Sequence, residues 1–193
     1  HTKGKTYAAR ASNISKYTHG RFKPVYQLSN QTDALVEDDD HPQVALRFEE
    51  TAPDAPYLLL ITEDDTTPDQ VLNAPPAAIV ALASTAARSP LAVGVAAQVF
   101  AHGALCDAVA RASDLYDAPG HVPDEIEKGD WAAALSSAAS RAGVTHIVTP
   151  YAPVGPVAEA LQKAKPELNE AGLSLTMVRR TYDTLAWPHA TRG

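Results

Sequence analysis

Three apolar runs of the chain, at 57–61, 78–83 and 144–148, are each followed by a short polar or proline-rich segment. These segments are residues 62–66, 84–89 and 149–156. If the runs are parallel strands, the segments meet at the carboxyl edge of one sheet, where open α/β sheets bind their ligands. We therefore treat the three segments as the candidate binding loops.

The first segment contains three consecutive carboxylates, Glu63, Asp64 and Asp65. Such a group could hold a cation or accept hydrogen bonds from a ribose hydroxyl. Acidic side chains are equally common, and solvated, at the start of a helix, where they interact favourably with the helix dipole. The sequence leaves both interpretations open.

The second and third segments supply the candidate pocket residues. Ser84, Arg88 and Ser89 offer hydroxyls and a guanidinium to an anion beside the start of the next helix. Residues 149–156 include three prolines, which lack the N–H groups that a phosphate-binding loop needs. We interpret this segment as a stiff pocket wall with Tyr151 stacking on a flat ligand, or as a rigid turn without a ligand.

A different kind of chemistry is suggested by residues 1–24, which contain no carboxylate. The net charge of the whole chain is −7, with 16 basic and 23 acidic side chains, so the remaining residues carry −13 (10 basic minus 23 acidic). Cations interleaved with aromatic rings suit a surface that follows a phosphate backbone. The alternative is a solvated basic face against an acidic partner domain. The cations are Lys3, Lys5, Arg10, Lys16, Arg21 and Lys23, and the aromatic residues are Tyr7, Tyr17 and Phe22.

Several classes of protein are disfavoured. The sequence contains no GxSxG, HExxH, CxxC or GxxxxGK[ST] motif and no apolar run long enough to cross a membrane. Its one cysteine, Cys106, excludes an internal disulfide, fits a reducing cytoplasm and is predicted to be a buried structural thiol. The chain begins with His1 and ends at Gly193 without a clear element boundary, so we expect a piece of a longer protein. These features favour a binding domain over a self-contained enzyme.

The elements that must position the candidate residues alternate between strand and helix. We predict strands at 57–61, 78–83, 144–148 and 173–178, a small strand near Val122, and helices at about 90–115, 130–142 and 157–171. This order predicts a Rossmann-like α/β domain at 57–180, with a mostly parallel sheet and helices on both faces. A basic arm at 1–24, helical over 8–17, and a polar linker at 25–56 precede it, and residues 181–193 begin a further segment.

The helix predicted at 90–115 shows one regular apolar stripe. Val95, Val99, His102, Cys106 and Val109 recur at spacings of 4, 3, 4 and 3 residues. We expect this stripe to face the sheet, with His102 as a packed residue or one exposed at the end of the core.

Three stretches resemble the photolyase/cryptochrome family of flavoproteins. They are Gly4-Lys5-Thr6-Tyr7-Ala8-Ala9-Arg10-Ala11-Ser12-Asn13-Ile14-Ser15-Lys16-Tyr17-Thr18, Thr149-Pro150-Tyr151-Ala152-Pro153-Val154-Gly155-Pro156, and Trp187-Pro188-His189-Ala190-Thr191-Arg192-Gly193. Together they cover less than a quarter of the chain, and none is a catalytic motif. In the family the first stretch follows the helical FAD-binding domain.

The resemblance implies a parent protein that binds FAD and either splits pyrimidine dimers by light-driven electron transfer or senses blue light. The flavin-contacting residues and the relay tryptophans of the family lie upstream of His1, so this chain contributes no catalytic residue. Arg10 and Asn13 are similar to a phosphate-contacting Arg and the Asn of an Asn-Pro turn, with Ile14 in place of the proline. From this resemblance and from the cations of the basic arm, we expect contact with DNA phosphate at Lys3, Lys5, Arg10, Asn13 and Lys16.

The order of the domains departs from the usual plan of the family, in which the α/β domain comes first. Whether an antenna chromophore is bound therefore stays open. Two other hypotheses remain: a free-standing Rossmann-like nucleotide-binding module without flavin, and an interaction domain without a ligand.

Overall fold

The computed structural model describes residues 11–25, 51–68, 72, 74–123 and 130–189. Residue contacts divide the chain into two compact units, His1–Leu46 with Arg192–Gly193, and Arg47–Thr191. The two units are described separately.

In the first unit, the described residues form one short helix, α1 (Ala11–Tyr17). The backbone of Gly20 is left-handed, with φ of 76°, and its N–H donates to the Ser15 carbonyl at 2.7 Å. The helix therefore ends close to the predicted position, because glycine adopts this conformation without strain. Residues 8–10 of the predicted helix lie outside the described residues.

The second unit is an α/β domain. Its strands are β1 (Tyr57–Thr62), β2 (Ala78–Leu82), β3 (Gly120–His121), β4 (His146–Pro150) and β5 (Ser174–Val178). Its helices are α2 (Val95–Tyr116), α3 (Trp131–Ala142), α4 (Pro156–Glu170) and α5 (Thr181–Ala186), with 3-10 turns at Thr85–Ala87 and Trp187–His189.

The five strands form one sheet in the order β3-β2-β1-β4-β5, and every pair of neighbours is parallel. The strand order reverses between β1 and β4, as in doubly wound sheets. The predicted Rossmann-like α/β class is confirmed, including the small strand near Val122.

Two apolar cores lie on opposite faces of the sheet. Helices α3 and α4 cover one face, where Leu58, Leu60 and Leu135 are buried. Helix α2 covers the other face, where Leu59, Ile61 and Leu105 are buried. All six residues of β1 are buried, which explains why this strand is a continuous apolar run instead of an alternating one.

The position of α2 depends on close approach to the sheet edge. A Cβ built on Gly120 of β3 would lie 2.4 Å from both the Ser113 Oγ and the Val109 Cγ1 of α2. A side chain at this position would have to displace the Ser113 and Val109 side chains or shift the backbone, so glycine permits the close contact.

The predicted apolar stripe of α2 is wrong over most of its length. Val95 is 75% exposed and Val99 is 65% exposed, and His102 and Cys106 are also exposed. The residues that face the sheet are Ala101, Leu105, Ala108, Val109 and Ala112, so Val109 alone was assigned correctly. Small alanine side chains let the helix approach the sheet closely, and this packing decides the buried face. The prediction that Cys106 is buried is therefore wrong as well.

Candidate functional site

A broad groove of about 1400 Å³ lies at the carboxyl end of β2. It is bordered by the turn after β2, the N-terminal half of α2 and the starts of α3 and α4. Its polar lining includes Ser84, Gln98, His102, Glu159 and Lys163. Its floor includes Leu105 and Trp131, both of which are buried. The groove therefore combines an apolar floor with a polar rim, the usual composition of a ligand site.

Beside the groove, the Glu63 carboxylate joins the loop after β1 to the loop after β2. Its Oε1 accepts hydrogen bonds from the Ser84 N–H at 2.7 Å, the Ser84 Oγ at 2.9 Å and the Thr85 Oγ1 at 3.1 Å. The Glu63 side chain is only 10% exposed. Its Oε2 is buried and has no hydrogen-bond partner within the described part of the chain. Glu63 thus orders the start of the 3-10 turn Thr85–Ala87.

Arg88 is held by two of the three carboxylates of the first candidate loop. Its guanidinium forms ion pairs with Glu63, at 3.3 Å, and with Asp64. The hydrogen bond to Asp64 raises the pKa of Arg88; burial acts in the opposite direction, and the charges of Asp64 and Glu63 add to the increase. The cation predicted to bind an anion is therefore already neutralised by its neighbours.

The third carboxylate, Asp65, binds Arg180, which follows β5. The guanidinium contacts both carboxylate oxygens, with Nη2 donating to Oδ1 at 2.7 Å and Nη1 donating to Oδ2. Its Nη2 also donates to the Thr67 carbonyl at 2.6 Å. In this structure the three carboxylates of the acidic trio make internal ion pairs. Neither interpretation drawn from the sequence includes this arrangement.

The structure separates the four predicted pocket residues. Ser84 lines the groove, but its hydroxyl is engaged with Glu63, and the Ser89 Oγ accepts a hydrogen bond from the Leu91 N–H at 3.0 Å. Tyr151 follows β4 and contacts the Trp187 ring edge-on, with the ring centroids 5.6 Å apart. Arg88, Ser89 and Tyr151 are not among the groove-lining residues.

Sequence reasoning missed the groove residues Gln98, His102 and Lys163, and it missed Arg180. Arg180 carried a usable signal, because it lies two residues beyond the end of a predicted strand and therefore at the carboxyl edge. His102 was assigned to the core by its spacing. Its Nε2 lies 3.4 Å from the exposed Cys106 Sγ, one helical turn further along α2. The described residues contain no group of three or more His, Cys, Asp or Glu side chains suited to a metal ion.

The first unit presents two exposed pairs of a cation and an aromatic ring. The Lys16 Nζ lies 5.4 Å from the centroid of the Tyr17 ring, and the Arg21 guanidinium lies 5.3 Å from that of Phe22. Tyr17 is 70% exposed and Phe22 is 56% exposed. Asn13 lies in α1 and is partly buried. Lys3, Lys5 and Arg10, the other predicted phosphate contacts, lie outside the described residues.

Across the ranges that the structure describes, none of the helices has both the length and the apolar composition needed to cross a membrane. Comparison of the chain with protein-family models, with curated proteins and with solved structures gave no match.

Proposed function

We propose that the chain is part of a photolyase/cryptochrome-like flavoprotein of the cytoplasm. In this proposal the α/β unit is an accessory domain, and the basic segment contacts DNA. The parent protein binds FAD in a helical domain and uses light to repair pyrimidine dimers or to signal. The observation that carries the proposal is a doubly wound parallel sheet that follows a basic helical segment in the same chain. The three resembling stretches imply this combination.

The described part of the basic segment supports a role in DNA binding. Lys16 and Arg21 place two cations beside exposed rings, and Lys23 is exposed nearby in sequence. Cations bind phosphates in an ionic-strength-dependent way, and exposed rings stack on unpaired bases. A base extruded from a duplex, as dimer repair requires, leaves the opposite base unpaired.

The N-terminal half of α2 supports a role for the α/β unit in contacting a partner domain. Residues 89–106 contain no Asp, Glu, Lys or Arg. Leu91, Val95 and Phe100 in this stretch are between 75% and 78% exposed. Large apolar patches are uncommon on isolated monomers and mark contact surfaces. In the proposal, the helical FAD-binding domain of the same parent protein covers this patch.

The visible spectrum of the full-length gene product tests the flavoprotein proposal. We expect a purified protein with flavin absorption bands that bleach when blue light reduces the cofactor in the presence of a reductant. Illumination with an oligonucleotide containing a cyclobutane pyrimidine dimer distinguishes repair from signalling. A full-length protein that neither retains flavin nor takes up added FAD would refute the proposal.

Charge-neutralising substitutions test the DNA contact in the same full-length protein. Lys16→Gln and Arg21→Gln should each weaken DNA binding and reduce the slope of log K against log salt by about 1. Arg141→Gln is the matched control, because Arg141 is an exposed cation on α3. If all three variants bind DNA with the wild-type salt dependence, the basic segment does not contact phosphate.

The groove supports a second candidate function, a nucleotide-binding module without flavin. It lies at the carboxyl edge, and Lys163 on its rim could pair with a phosphate. Titration of the chain with AMP, ADP and ATP tests this function, with Lys163→Ala expected to weaken binding and Arg141→Ala expected to leave it unchanged. Absence of nucleotide binding by the wild-type chain rules it out.

A further inference from the structure

The side chain of Arg180 crosses the carboxyl edge of the sheet. Arg180 follows β5, whereas its partner Asp65 follows β1, and β4 lies between these two strands. Neighbouring strands are about 4.8 Å apart, so the ion pair connects loops whose strands are separated by about 10 Å. The guanidinium must therefore pass over the end of β4 to reach the loop after β1.

This position coincides with the point where the strand order reverses. From β1 the sheet continues to β2 and β3 on one side and to β4 and β5 on the other. Doubly wound sheets bind ligands in the crevice above this boundary. Here the crevice is spanned by the bidentate ion pair of Arg180 with Asp65, whose side chains are 20% and 15% exposed. The open groove lies to one side, at the end of β2.

The residues after Arg180 are attached mainly by polar and aromatic contacts. Helix α5 contains no buried residue, and Tyr182 and Leu185 are 76% and 67% exposed. The Arg179 guanidinium lies 5.8 Å from the centroid of the Trp187 ring, which in turn contacts Tyr151. A segment with so little buried apolar surface belongs to the least stable part of a fold.

We propose that residues 179–189 form a strap that the Arg180–Asp65 ion pair latches across the crevice between β1 and β4. Bidentate, charge-assisted hydrogen bonds are strong and directional, so this pair is a strong polar attachment of the strap beside the aromatic contact of Trp187 with Tyr151. Release of the pair frees the strap and exposes the carboxyl ends of β1 and β4. The latch thus controls ligand access to this crevice, and it does so whether or not the parent protein is a flavoprotein.

Two adjacent substitutions of equal size test the latch. Asp65→Asn removes the charge that holds Arg180 but keeps an Oδ1 that can accept from the Thr67 N–H, a bond of 3.1 Å in this structure. Asp64→Asn makes the same change one residue earlier and affects Arg88 instead. Hydrogen exchange of the full chain, followed by mass spectrometry, measures the opening of residues 181–189 directly.

We expect Asp65→Asn to accelerate exchange in residues 181–189 by about tenfold or more, because hydrogen bonds to charged groups are lost. Exchange in α2 should stay at the wild-type rate, which shows that the fold is intact. Asp64→Asn should leave the strap at the wild-type rate.

A third variant separates the bidentate geometry from the charge. Arg180→Lys keeps the positive charge but cannot bind both carboxylate oxygens in parallel, so it should also accelerate strap exchange. Wild-type exchange of residues 181–189 in both Asp65→Asn and Arg180→Lys would overturn the proposal. Equal acceleration by Asp64→Asn and Asp65→Asn would overturn it too.

Discussion

Replacement of Glu63 by alanine should destabilise the α/β unit, because this carboxylate joins two loops at the carboxyl edge. The substitution removes the acceptor of both Ser84 bonds, at 2.7 and 2.9 Å, and Ser84 is only 3% exposed. Hydrogen bonds to charged groups contribute about 1.5–3 kcal/mol each. Removal of the buried Oε2, which has no hydrogen-bond partner among the described residues, offsets part of the loss, so the lower value applies. Two bonds at about 1.5 kcal/mol give a loss of about 3 kcal/mol in the free energy of unfolding.

Urea unfolding, followed by tryptophan fluorescence, measures this loss, because Trp131, one of the two tryptophans, is buried in the folded unit. In a separate thermal unfolding experiment, the melting temperature should fall by about 6–12 °C, at about 2–4 °C per kcal/mol for a unit of this size. Glu170→Ala is the control, since Glu170 is exposed at the end of α4 and should change stability by less than about 0.5 kcal/mol.

A double-mutant cycle with Ser84→Ala tests the cause of the loss. Ser84→Ala keeps the backbone N–H bond and removes the hydroxyl bond, so if the hydroxyl bond contributes, the effects of Glu63→Ala and Ser84→Ala should be non-additive by about 1 kcal/mol or more. Additive effects would show that the Ser84 hydroxyl bond does not contribute, and a Glu63→Ala variant within about 0.5 kcal/mol of the wild type would show that Glu63 does not tie the loops together.

Three further predictions concern packing and pH. Gly120→Ala should destabilise the unit by about 1–3 kcal/mol in the same unfolding assay, because the new methyl group overlaps α2; wild-type stability would contradict the close contact. Leu105→Ala should lower the free energy of unfolding by about 2–5 kcal/mol, whereas Val99→Ala, at an exposed position, should lower it by less than about 0.5 kcal/mol. The opposite ranking would indicate that the stripe predicted from the sequence faces the sheet after all. Burial raises the pKa of Tyr57 from 10.0 to about 12, with a contribution from Tyr116. As the pH rises, the unfolded chain therefore loses this proton at a lower pH than the folded chain does. The free energy of unfolding should decline between pH 10 and 12 by up to about 1.4 kcal/mol per pH unit. Tyr57→Phe should flatten that decline in unfolding curves measured across this range.

Local signals in the sequence were reliable where the physical cause acts within a few residues. Asp130 begins α3 because its carboxylate accepts a hydrogen bond from the Ala133 N–H at 2.9 Å. Gly143 ends the same helix with a left-handed φ of 66°. The apolar run of β1 identified a strand covered on both faces, since only such a strand needs no polar side.

The buried face of α2 could not be obtained in this way. The helix is apolar on more than one side, so its periodicity alone does not identify the side that packs on the sheet. Close packing of Ala101 and Ala108 decides between the faces, because a small side chain lets the backbone approach the strands. The regular stripe of Val95 and Val99 remains on the surface.

The sequence by itself determined the fold class and the three loops at the carboxyl edge, because strand and helix periodicity and capping residues act locally. Only the tertiary structure determined which residues of those loops contact one another or the segment after β5. Asp65 and Arg180 are 115 residues apart, and Glu63 and Ser84 are 21 residues apart. The first pair forms because the sheet order places β1 and β5 two positions apart, and the second forms because β1 and β2 are neighbours. The first two candidate binding loops are therefore joined by internal ion pairs and hydrogen bonds beside an open groove, and the third contacts Trp187 through Tyr151.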